Sequence, residues 1–186
     1  DDSELIELGL QTDAGHINLH FYNFGKKDYT DRELAAINGV YDATLVDLDN
    51  ATADLFEALE ARGILDDTIV VLTSDHGENL GDHHLFNHRF ALYETLLHVP
   101  LIIRYPRELP PGRVEHPVTT LDVFATVADL AGIPEPDLPS TSLRTPREAP
   151  VSYMAVPLER EIKTVQRVFP DVEAEPWLKM GHAVVE

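Results

Sequence analysis

Four of the chain's nine histidines fall in one stretch, Thr73-Ser74-Asp75-His76-Gly77-Glu78-Asn79-Leu80-Gly81-Asp82-His83-His84-Leu85-Phe86-Asn87-His88, together with three acidic side chains. Asp75 and His76 directly follow Thr68–Thr73, a β-branched run that reads as a buried parallel strand. In open α/β sheets ligands bind beyond the carboxyl ends of strands, which is where this pair emerges. An Asp oxygen beside a neutral imidazole nitrogen is a mixed donor set able to hold Ca²⁺, Mn²⁺ or Zn²⁺. Gly77 and Gly81 leave the backbone free to fold back over such a site. The same residues also read as an ordinary strand-end turn, with Asp75 capping the next helix and the histidines solvated. Spacing leaves both readings open.

The other histidines carry less. His84 and His88 stand four apart, which on a helix would suit a zinc pair, but no Glu lies between them in the metalloprotease position and Asn87 favours a turn. His98 precedes a strand and is expected to be packed and hydrogen-bonded in the core. His16, His20, His116 and His182 have no partner visible in the sequence. Asp49 and Asp122 read as helix-face or capping groups.

The elements that must position this stretch alternate between helix and strand. A strand is expected over Ile17–Tyr22 within an otherwise irregular first 29 residues. Thr30 with Glu33 forms a capping box for a long amphipathic helix carrying Leu34, Ile37, Tyr41, Leu45, Leu48, Leu55 and Leu59, bent near Asn38-Gly39 and closed by Gly63. A helix around Phe90–Leu97 leads into a second buried strand, Val99–Arg104. Thr119 or Thr120 caps a helix over Leu121–Ala131, which Gly132 and Pro134 close. Residues 134–150 are Pro-rich loop, followed by a strand at Val151–Ala155 and a helix at Leu158–Val168. This order predicts an α/β sandwich with a largely parallel sheet.

Ser74-Asp75-His76-Gly77-Glu78, Leu80-Gly81-Asp82-His83, Tyr93-Glu94 and Val99-Pro100-Leu101-Ile102-Ile103 occur in the order and spacing of the metal-binding region of sulfatases. Leu121-Asp122 through Ala131-Gly132-Ile133-Pro134 matches a later helix of the same family. The chain thus resembles the sulfatase family, within the alkaline-phosphatase-like superfamily, from about Thr30 to Leu143. The resemblance implies an α/β, alkaline-phosphatase-like sandwich, its mostly parallel sheet flanked by helices and its N-terminal strands missing. It implies one partial domain over residues 1–186, with the metal-site half at 30–143 and a C-terminal extension at 144–186.

The same resemblance implies that Asp75 and His76 are two ligands of a single divalent cation, Ca²⁺ in the first place, with Mn²⁺ or Mg²⁺ as alternatives. His88 stands where many members carry a Lys that contacts the transferred sulfuryl group, and His83 would line the same pocket. A His there can donate a hydrogen bond, but its charge varies over the physiological pH range. His76 replaces an Asn common in the family, and the His form also occurs among phosphonate and phosphodiester hydrolases. The implied substrate is a small-molecule or saccharide sulfate ester. The alternatives are a phosphonate or phosphodiester hydrolase, a phosphoglycerol-type transferase, or a non-catalytic homologue.

No nucleophile is recognisable. Sulfatases use a formylglycine made in a C/S-x-P-S-R motif near the N-terminus, and this chain has no Cys. Pro139-Ser140-Thr141-Ser142-Leu143-Arg144 lies on the wrong side of the metal pair. The formylglycine is therefore expected only in a preceding segment, which the start at Asp1 without an initiator Met also leads one to expect.

Composition bounds the partners. A net charge of -19, with 10 Arg and 4 Lys, provides no basic patch for nucleic acid or anionic membranes. An acidic, Lys-poor surface suits solubility at high salt, or reflects ordinary surface repulsion. No apolar run approaches membrane-spanning length. Missing strands would leave an exposed sheet edge and apolar surface, so self-association, as a homo-oligomer, or marginal stability is expected.

Overall fold

The structure is a computed structural model that describes residues 3, 21–134, 140–145, 151–155, 159–178 and 181–185. Helix α1 (Asp31–Ala61) starts as its sequence dictates. The Thr30 side chain accepts from the Glu33 backbone N–H at 3.3 Å, and Glu33 Oε2 accepts from the Thr30 N–H at 2.8 Å. The helix runs uninterrupted through Asn38 and Gly39, so the bend expected there does not break it. Gly63, at φ 68°, ends the element in a left-handed conformation that a residue without Cβ adopts at no steric cost.

Strands β1 (Val70–Thr73) and β4 (Leu101–Arg104) form a two-stranded sheet. It is antiparallel, with Val70 opposite Arg104 and Thr73 opposite Leu101. This corrects the parallel pairing expected from the two apolar runs. A parallel partner requires a crossover that carries the chain back to the start of the first strand. Here the intervening residues stay at the carboxyl end of β1. They form a small hairpin, β2 (Asn79–Leu80) with β3 (Phe86–Asn87), and a four-residue helix α2 (Glu94–Leu97), so β4 enters beside the end of β1 and runs back. Neither strand is fully buried, and Ile102 is 60% exposed.

The helix expected from Phe90 shrinks to α2 because Phe90 has φ 68°, outside helical space. Helix α3 (Leu121–Leu130) matches its expected span. Its cap is Thr119, whose Oγ1 accepts from Leu121 N–H, while Thr120 makes no side-chain cap. Asp122 is fully buried and accepts from the backbone N–H groups of Thr119 and Thr141. Strand β5 (Val151–Ala155) and helix α4 (Glu159–Val168) also appear, and β5 pairs antiparallel with an unanticipated β6 (Gly181–Val185). Residues 21–23 are helical, against the strand expected at Ile17–Tyr22; residues 17–20 of that strand lie outside the described residues. Residues 140–145 of the Pro-rich segment carry neither helix nor strand, and most of the rest of it is likewise outside them.

The hairpin is anchored by a core that the sequence pattern did not reveal. Tyr22, Tyr29, Ile37 and Phe86 form one buried cluster, with Leu34 packed on it. Asn23 grips β3 twice: Nδ2 donates to Phe86 O at 2.9 Å, and Phe86 N–H donates to Oδ1 at 2.7 Å. The first turns of α1 and the segment before it thus hold the loop that follows β1. Beyond that, α1 is uncovered by the described residues. Leu45, Leu48 and Leu55 are 47, 62 and 57% exposed. Trp177 packs tilted against Phe24 and edge-on against Phe90, and Phe169 meets Phe21 edge-on, tying the C-terminal segment to residues 21–24. No helix among the described residues is long and apolar enough to cross a membrane.

Candidate functional site

At the end of β1 the chain turns sharply. Ser74 Oγ donates to His76 O at 2.7 Å, and the His76 backbone N–H donates to Asp75 Oδ1 at 3.0 Å. That second bond, with His76's charge next in weight, holds the Asp75 carboxyl below the ordinary carboxylate range. His76 Nδ1 lies 2.8 Å from Gly77 O. A carbonyl oxygen only accepts, so Nδ1 is the donor in this bond, and in the neutral ring Nε2 then keeps a lone pair. Nε2 sits 3.7 Å from Asp75 Oδ2, and the Asp75 and His76 side chains are 86 and 43% exposed. A carboxylate kept ionised beside an oriented imidazole nitrogen fits the donor set of a divalent cation.

Gly77 fixes this loop against α2. Its N–H donates to Leu96 O at 2.9 Å, and a Cβ at this position would lie 1.9 Å from Thr95 O. Asn79, fully buried, donates from Nδ2 to Asn87 O and accepts from Thr95 Oγ1 at 2.6 Å. The hairpin, the loop and α2 are therefore one unit.

His88 closes the site from the other strand. Its ring stacks on His76, with centroids 4.0 Å apart, and its Nδ1 is 2.9 Å from Glu78 Oε2. Sequence reasoning passed over Glu78. Only the hairpin register reveals it: extending the pairing of Asn79 with Asn87 by one residue sets Glu78 opposite His88.

His83 takes another partner, stacking on Tyr93 with centroids 3.7 Å apart. It and His84 adopt left-handed φ of 54° and 58° in the tight turn. His84 stacks on Tyr22 and faces Asp28, so it and His88 have separate partners and do not act as a pair. His98 corrects an expectation: its side chain is 83% exposed and pairs with Glu94 one helical turn back, because α2 lies at the surface there. His116 is exposed, His16 and His20 lie outside the described residues, and His182 lies on β6.

A sequence profile described as Sulfatase matches residues 8–133. Arylsulfatase K of Bos taurus is 36% identical over 121 residues, which cover 61% of this chain and 22% of that protein. N-acetylglucosamine-6-O-sulfatase of Bacteroides thetaiotaomicron is 40% identical over 106 residues, 56% of this chain and 19% of that one. Among solved structures, the phosphonate monoester hydrolase SpPMH from Silicibacter pomeroyi superposes with a TM-score of 0.69 at 27% identity, covering 88% of this chain and 33% of that one. The chain spans about a fifth of the length of the curated relatives it matches.

Proposed function

Because the chain belongs to the sulfatase family, we propose that it supplies Asp75 and His76 to the single divalent-cation site of a sulfate-ester hydrolase. The observation that carries this reading is the ionised Asp75 carboxylate set 3.7 Å from His76 Nε2 at the end of β1, with His88 stacked on His76. A bound cation, Ca²⁺ in the first place with Mn²⁺ or Mg²⁺ as alternatives, supplies charge neutralisation at the ester oxygens. Asp75 contributes the anionic ligand and His76 the oriented nitrogen. His88 donates a hydrogen bond to a sulfuryl oxygen, and His83, braced by Tyr93, lines the same pocket. The nucleophile, a formylglycine, comes from residues outside these 186. The substrate is a saccharide or other small-molecule sulfate ester, in keeping with the N-acetylglucosamine-6-O-sulfatase likeness. Residues 1–186 form part of one domain, which the contacts of Phe169 and Trp177 with residues 21–24 support. Within the whole enzyme, β1 and β4 join a larger, mostly parallel sheet flanked by helices.

The likeness to a phosphonate monoester hydrolase favours one competing reading, in which the same site cleaves a phosphorus ester. The test is kcat/KM of the enzyme carrying this chain on aryl sulfate, N-acetylglucosamine 6-sulfate and an aryl phosphonate monoester. The sulfates are expected to be the better substrates, and His88→Ala to lower their kcat/KM by about ten- to a thousandfold, the scale for losing one charge-stabilising donor. A phosphonate preference would overturn the sulfate assignment, and a His88→Ala enzyme as active as wild type would remove His88 from the pocket.

The uncovered stripe of Leu45, Leu48 and Leu55, with Phe124 60% exposed on α3, supports self-association of the chain. Sedimentation velocity on the 186-residue chain is expected to show dimers or larger species at about micromolar concentration. A monodisperse monomer across that range would refute it.

A further inference from the structure

His76, Glu78 and His88 can each offer one ligand atom, and these atoms all lie within 4.8 Å of one another. They come from three points of the same hairpin unit: the loop after β1, the residue before β2 and the residue after β3. Asp75 is outside this group. Their chemistry differs from that of an oxygen-rich cation site. Ca²⁺ takes six to eight oxygens, whereas two imidazoles and one carboxylate match the preference of first-row transition cations.

One pair of these atoms already has the spacing that such an ion needs. Glu78 Oε2 and His88 Nδ1 are 2.9 Å apart. Two donors at that spacing, each about 2.1 Å from a cation, subtend an angle of about 90° at it, as two ligands on one face of an octahedron do. The His76 bond to Gly77 O is the backbone contact that typically orients a metal-binding imidazole, and it leaves Nε2 as the ligand atom. The side chains of His76, Glu78 and His88 are 43, 26 and 39% exposed, so the remaining coordination positions open to solvent.

We propose that His76, Glu78 and His88 form a binding site for a first-row transition cation, sharing His76 with the Asp75 pair but independent of Asp75 itself. An ion there draws His88 away from the ester and His76 away from the Asp75 cation site, which makes it inhibitory.

The experiment titrates the full 186-residue chain with ZnCl2 and separately with CaCl2 by isothermal calorimetry, with circular dichroism to check folding of each variant. One Zn²⁺ per chain is expected. Glu78→Gln and His88→Gln should weaken it by about tenfold or more, since a direct ligand counts for at least as much as a group that only orients one. Asp75→Ala removes a nearby charge but no ligand, and should weaken Zn²⁺ clearly less than Glu78→Gln does. CaCl2 titrated alone should bind only weakly, since the Asp75–His76 pair offers it two ligands. As a check that needs no variant, Zn²⁺ should shift the side-chain ¹⁵N resonances of His76 and His88 and leave those of His83 and His84 in place. The proposal is overturned if wild type takes up no Zn²⁺, if Glu78→Gln binds it like wild type, or if Asp75→Ala loses it as fully as Glu78→Gln. The last outcome would assign the ion to the Asp75–His76 pair.

Discussion

Asp75→Ala is expected to lower kcat/KM of the enzyme carrying this chain by about a thousandfold, because several kcal/mol of charge stabilisation at about 1.4 kcal/mol per factor of ten depend on the cation it helps hold. Folding should be nearly indifferent. The Asp75 side chain is 86% exposed, and its one close backbone bond is to the next residue, so its loss should change stability by about 0.5 kcal/mol or less. Asp75→Asn keeps the size and the bond from His76 N–H but removes the charge, and should be nearly as inactive. The acid side of the pH profile adds a check. The His76 N–H keeps the Asp75 carboxyl ionised below the pH at which a free carboxylate, with pKa about 3.9, takes up its proton. Activity lost only through Asp75 therefore persists as pH falls through that value and disappears below it. Metal content by emission spectroscopy, kcat/KM and thermal midpoint are measured together for the three proteins. An Asp75→Ala enzyme with normal metal content and activity within tenfold of wild type would remove Asp75 from the site.

Gly77→Ala should have the largest effect on folding. The added Cβ would stand 1.9 Å from Thr95 O and 2.9 Å from Thr95 C, both backbone atoms that no rotamer change can move. Relief requires separating the loop from α2, which breaks the 2.9 Å Gly77 N–H bond to Leu96 O and pulls Thr95 away from Asn79. A cost of about 3 kcal/mol is expected, the upper range for overpacking with a buried hydrogen bond strained, or about 6–12 °C in Tm for a chain of this size. His76 would move with the loop, so metal affinity should fall as well. Gly39→Ala is the control. It lies inside α1 with nothing within 4 Å of an added Cβ, and should be neutral or stabilising by up to about 1 kcal/mol. If the two alanine variants unfold at the same temperature, the close approach to α2 is not present in solution.

Local signals proved readable where the physics is local. The Thr30–Glu33 capping box, the helix over Leu121–Leu130 and the β-branched run at Val70–Thr73 each depend on residues a few positions apart, and each stands where its sequence put it. The match to the sulfatase family also followed from short motifs, because ligand-bearing loops need given residue types at given spacing. Strand direction was a different matter. An apolar run of four residues is equally suited to either pairing, and only the path between Thr73 and Leu101 made this one antiparallel.

Burial was less readable still. Leu45, Leu48 and Leu55 have the spacing of a buried helix face, yet their cover has to come from residues distant in sequence, and none of the described residues provides it. His98 beside an apolar strand looked buried but faces solvent. Asp75 and His76 were legible as a pair because they are neighbours in the chain. The partnership of Glu78 with His88, and the grip of Asn23 on Phe86 across 63 residues, were not. Residue type and spacing sufficed for the helix cap at Thr30, the strand-end turn at Asp75 and His76, and the family. The neighbours of each histidine were settled by hairpin register and packing, since a hydrogen bond between distant residues leaves no periodic trace in the chain that makes it.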